Sequence, residues 1–206
     1  MFLSLFLFLA PEDVMMTAAN SPSVDRVPAS AQRTIRILDG ISIFTGKAVS
    51  WLLIPMMLSL VYEVFMRYLF HSPTIWSMDM AVILFGINFM VGSAYCLQSG
   101  GHIRTDFFYN NWSVKTKAKV DILMYILLFF PVHIVFLEVG WKYFWKSFTI
   151  SETMVSSPWM PIVWPLKFAI PCCVALTLVQ GVSEVIKNIY RWKTGVDYWA
   201  AETEAA

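Results

Sequence analysis

Glu63 and Arg67 stand four residues apart in an otherwise apolar run, with the acid N-terminal to the base. On a helix that spacing shares a face, so the two can neutralise each other or, turned outward, make a polar contact with another protein chain. Asp79 follows Ser72, Pro73 and Trp76, a helix-entry pattern in which a carboxylate complements the positive end of the helix dipole. Asn88 is accompanied by Gly86, Gly92, Ser93 and Ala94, small residues that let a neighbouring helix approach closely. Glu138, just before Trp141, is read like Glu63 as an interface residue. His133 and Pro131 share an apolar stretch, but a bis-histidine haem needs a second histidine at the same depth, and His71 and His102 fall at helix ends. No line of carboxylates accompanies His133 as a proton relay, which leaves it a hydrogen-bonded packing role. Three cysteines without CxxC or Cys/His spacing argue against a disulfide framework and a structural zinc site. The adjacent Cys172 and Cys173 behave as small apolar residues. No nucleophile stands with a base, so the chain reads as neither an enzyme nor a cofactor carrier.

Two polar segments stand out. In GGHIRTDFFYNNW, residues 100–112, Ile103, Phe107, Phe108 and Trp112 can share one helical face while Arg104, Asp106 and Asn110 take the other, which predicts a short helix lying in the headgroup plane. Residues 147–163 form a loop rich in Ser, Thr and Pro, with Glu152, Trp159 and Pro161, suited to contacting something in the compartment it faces.

The elements that must position these residues follow from composition. The chain of 206 residues is 58% hydrophobic, 14% charged and 16% aromatic. Soluble domains have about 25% charged residues, so there is too little polar surface here for a globule in water. A net charge of +1 gives no footprint for nucleic acid. A hydrocarbon core of ~30 Å needs about 20 apolar residues in helix. The sequence provides four such stretches, at 48–70, 76–98, 120–143 and 164–189. The fold class is therefore an all-α integral membrane protein, with four transmembrane helices plus short interfacial amphipathic helices. Trp51, Trp76, Trp112, Trp141, Trp145, Trp159, Trp164 and Trp192 fall at or near the proposed boundaries, where an indole prefers to sit. Eleven Lys and Arg lie on the side of the two termini and four on the other, which places both termini in the cytoplasm.

Residues 1–9, MFLSLFLFL, reach only ~14 Å as helix and cannot span. Lacking a basic n-region, they read less as a signal peptide than as upstream of a later start at Met15 or Met16, or as a short interfacial anchor. Residues 17–34 are polar with two prolines and predict little fixed structure. The expected organisation is an N-terminal segment over 1–40, a four-helix membrane domain over 41–193 and a tail over 194–206.

The combination of Glu63, Arg67-Tyr68-Leu69-Phe70, Pro73, Trp76, Asp79, Gly92, GGHIRTD and SSPWMPIVWPLKFAIP, leading to Leu178, Gln180 and Gly181, resembles the DctQ-type small membrane subunit of tripartite ATP-independent periplasmic (TRAP) transporters. It looks most like the branch labelled mannitol or chloroaromatic transport. Where the family usually has glutamate, this chain has Asp79. The resemblance implies a bacterial inner-membrane scaffold with two partners, a large polytopic permease subunit and a periplasmic solute-binding protein for organic anions. Candidate partner contacts are Glu63, Arg67, Trp76, Asp79, Asn88, His102, Arg104, Asp106, Trp159 and Pro161. An accessory structural subunit of another membrane complex is the alternative.

Overall fold

The structure, a computed structural model, describes residues 28–99 and 112–195. Seven α-helices are described: α1 Ala29–Ser50, α2 Leu53–Tyr68, α3 Ser77–Val91, α4 Ser93–Gln98, α5 Val114–Met124, α6 Phe130–Thr149 and α7 Trp164–Thr194, with a π-helical turn, Tyr125–Phe129, joining α5 to α6. They form four stretches long and apolar enough to cross a membrane: Ala31–Tyr68, Ser77–Gln98, Val114–Thr149 and Trp164–Thr194.

These four helices are the expected spans, lengthened. The first is helical from Ala29, where the sequence predicts little fixed structure up to about residue 34. Pro28 opens it, its carbonyl accepting from the Ala31 and Gln32 amides; proline fits ahead of a first turn because no intrahelical donor is lost there. The third starts at Val114 and not at 120, because Ser113 caps it: its hydroxyl accepts from the Thr116 amide at 3.3 Å. The headgroup-plane helix expected over 100–112, and residues 1–9, lie outside the described residues but for Trp112.

Prolines account for the irregularities. Pro55 has no N–H to give Trp51, and its ring crowds that carbonyl, so the first stretch breaks between Ser50 and Leu53. Trp51 therefore lies exposed at this break, between the end of α1 and the start of α2 and within the long first stretch. Pro131 likewise cannot bond one turn back, and the π-turn immediately precedes it, with the Phe130 amide reaching Tyr125.

Cα packing divides the chain into two units. In the first, which holds the described residues up to Ile43 together with Cys96–Val132 and Thr177 onward, α1 meets the second half of α7. There Gly181 admits Phe129: a Cβ at Gly181 would lie 2.4 Å from the ring. In the second, Phe44–Tyr95 and His133–Leu176, α3 meets the first half of α7 through Gly86, where a Cβ would lie 2.6 Å from Leu166. Gly86 is one of the small residues expected to let a neighbouring helix approach closely, and Ala94, another of them, is fully buried.

Burial is inverted relative to a soluble protein. The largest fully buried side chains are Gln180 and Glu184, while Phe44, Phe89 and Leu127 are about 70% exposed. Lipid solvates the apolar exterior, and polar groups must find partners inside.

Candidate functional site

In the second unit, α2 ends in a left-handed turn at His71 (φ 53°), with the Ser72 amide bonding back to the Met66 carbonyl at 3.0 Å. This reversal brings Thr74 onto Glu63. One Glu63 oxygen accepts from Arg67 Nε at 2.9 Å and from an Arg67 terminal nitrogen at 2.5 Å. The other accepts from the Thr74 amide at 2.9 Å and from the Thr74 hydroxyl. Glu63 is only 4% exposed, whereas the Arg67 side chain is 53% exposed. The acid thus pins the α2–α3 turn and the base is left on the surface. Beside them the Trp76 ring packs on Tyr62, centroids 5.6 Å apart.

Asp79, in the first turn of α3, accepts from the Ser157 hydroxyl. Ser157 in turn accepts from the Trp159 amide at 3.2 Å. The loop that the sequence marks for outside contacts is therefore an ordered structure. Met154 donates to the Pro161 carbonyl at 2.9 Å, Thr153 and Ile162 form an antiparallel bridge, and the Glu152 carboxylate holds Lys167 from α7. Lys167 also lies 3.9 Å from the centre of the Tyr143 ring. Pro161 is buried under this loop, while Trp159, Met160 and Val155 are exposed on it. The Lys167 ammonium holds the Glu152 carboxyl below its ordinary value.

Asn88 donates to the Val49 carbonyl at 2.9 Å, at the break between α1 and α2. It serves the chain's own backbone, where an unmatched polar group in hydrocarbon would be costly. Glu138 pairs with Lys142 at 2.5 Å on an exposed face of α6. The Cys173 sulfur lies 3.2 Å from the Ser93 hydroxyl. His102, Arg104 and Asp106 lie outside the described residues. Among the described residues no three His, Cys, Asp or Glu side chains are grouped to hold a metal ion.

The most deeply buried polar cluster was missed by the sequence reading. In the first unit, Asp39 accepts from Gln180 at 2.9 Å, from Ser183 at 2.7 Å and from the Lys187 ammonium at 2.9 Å. Lys187 also pairs with Glu184 at 3.0 Å, and Ser42 donates to Gln180 at 2.7 Å. One turn on, Arg191 faces Asp121 at 3.5 Å. The available signal was spacing. Gln180, Glu184, Lys187 and Arg191 recur at i, i+4, i+7 and i+11, and Ile35, Asp39, Ser42 and Gly46 do the same on α1. Lys187 and Arg191 are among the eleven basic residues whose bias sets the expected orientation.

A family model described as "Tripartite ATP-independent periplasmic transporters, DctQ component" matches residues 56–191. The "Sialic acid TRAP transporter permease protein SiaT" of Haemophilus influenzae (strain 86-028NP) is 31% identical over 78 residues, which are 36% of this chain. The chain covers 13% of that relative's length.

Proposed function

This chain belongs to the DctQ component family of tripartite ATP-independent periplasmic transporters, and from that premise we propose that it is the small membrane scaffold subunit that anchors a large permease subunit during uptake of organic anions. One observation carries the scaffold role. All five buried charged side chains among the described residues, Glu63, Lys167, Glu184, Lys187 and Arg191, are matched by a partner within the same chain. A subunit lining a solute path keeps polar groups for the solute. Here they are spent on holding helices and a loop in place, which suits a part that stays fixed while another moves.

The organic-anion class is carried over from the sialic acid named for the relative, and the sugar itself is not. The partners are then a larger polytopic permease and a periplasmic solute-binding protein. Arg67, Trp76 and Trp159, which share the second unit and reach its surface, are the contact residues this reading favours, with Asp79 and Pro161 shaping the loop that carries Trp159. The setting is the bacterial inner membrane with both termini in the cytoplasm, supported by the bias of basic residues.

Affinity purification of the tagged chain in a gentle detergent tests this. A large polytopic permease should copurify in stoichiometric amount; recovery of the chain alone, or with subunits of an energy-transducing complex, contradicts it.

A further inference from the structure

In the first unit, three exposed lysines lie on α5 and at the end of α7, two of them over aromatic rings. Lys115 and Lys119 are four apart and share a face of α5. The Lys119 ammonium lies 5.6 Å from the centre of the Trp192 ring. The Lys115 stem comes within 3.5 Å of the place a Cβ would occupy on Gly195, just past the end of α7. Lys193 adds a third ammonium, 6.0 Å from the Tyr190 ring centre. All three lysines are exposed, and none is in an ion pair with a described residue. Asp121, the acid on the same helix, is engaged by Arg191.

Like charges collected at one helix junction repel one another, and an anion between them relieves that repulsion. Two further features say what kind of anion. Trp192 is 42% exposed, and an exposed indole at the end of a span sits at headgroup depth. One turn along α5 from Lys119, Leu123 and Met124 are exposed on a stretch that continues as a membrane span. A cationic rim, an amphipathic ring and then an apolar wall follow the order of a phospholipid's phosphate, glycerol and acyl chain.

We propose that this junction binds an anionic phospholipid, with Lys115, Lys119 and Lys193 around its phosphate and Trp192 against its glycerol. The site is independent of the transporter reading, since it needs only the spans and the residues at their ends.

Native mass spectrometry of the full chain in detergent, titrated with phosphatidylglycerol or with phosphatidylcholine of matched acyl chains, tests it. The unaltered chain should retain phosphatidylglycerol at least about tenfold better. The triple variant Lys115→Gln, Lys119→Gln, Lys193→Gln should lose that preference, and the corresponding triple arginine variant should keep it. Lys142→Gln, a charge loss elsewhere on the surface, should leave it unchanged, and millimolar inorganic phosphate should not displace the lipid. Equal retention of the two lipids, or a glutamine variant that behaves like the unaltered chain, would overturn the proposal. So would loss of preference in the arginine or Lys142 variant. Displacement by inorganic phosphate would make this a free-anion site and overturn it as well.

Discussion

The Lys187 ammonium stands 2.9 Å from the Asp39 carboxylate, joining α7 to α1 across buried surroundings. Glu184 shares the same ammonium at 3.0 Å. Lys187→Met would leave two carboxylates facing each other without their cation. The expected loss is about 3–5 kcal/mol, read as a fall in the thermal midpoint in detergent. Adding Asp39→Asn should recover part of that loss, because one of the two stranded charges is removed. An unchanged midpoint in the single variant would show that the pair is solvated.

At the α2–α3 turn the two partners of one ion pair should separate. Glu63→Ala strands the Thr74 amide, while the Thr74 hydroxyl keeps the Ser77 hydroxyl as acceptor, and the loss should cost about 1–3 kcal/mol of stability. Arg67→Ala removes a half-exposed partner worth at most about 1 kcal/mol, so folding should survive while recovery of the copurifying permease falls. Equal loss of stability in both variants would count against this division of roles.

The loop held by Glu152 should open in acid. Its carboxyl is held below the ordinary 4.5 by Lys167, so an unfolded loop takes up the proton first. The stabilisation is complete above pH 4.5 and is lost as pH falls through the lower, folded value. Protease nicking within residues 150–163 should therefore rise only below pH 4.5. In Glu152→Gln the rate should lose most of this pH dependence and be raised at neutral pH. A rate that is flat with pH in the unaltered chain rules the loop tie out.

Close helix approach at Gly181 should resist even one methyl group. Its Cβ would meet Phe129 at 2.4 Å, so Gly181→Ala should lower stability by about 1–3 kcal/mol. Phe129→Leu in the same chain should restore much of it.

Orientation rests on charge alone, eleven basic residues against four. A reporter fused after Trp199 should read as cytoplasmic and one inserted near Ser156 as periplasmic. The reverse pattern would invert the topology.

How far these features could be read beforehand depends on their physics. The four spans were legible because hydropathy reports the solvent, and Gly86 and Ala94 because small residues mark close packing. The outward extensions, Ala29 onward in α1 and Val114 onward in α5, were not, since a helix that leaves the hydrocarbon no longer needs to be apolar. Glu184 and Lys187 were hidden for a related reason: near a span's end a charge reads as solvated until its partner is known, and Asp39 lies far away in sequence. The Asp79–Ser157 tie that orders the loop joins residues 78 apart and leaves no local trace. Glu63 and Arg67 were legible as a pair, and the inward turn of the acid was not, because it depends on Thr74 folding back.

The scaffold role is tested most directly by reconstituted transport. Proteoliposomes holding the large permease, its solute-binding protein and this chain should accumulate an organic anion. Vesicles with this chain alone should accumulate none, and vesicles lacking only this chain should lose most of the uptake. Uptake by this chain alone, or full uptake in its absence, would contradict the account.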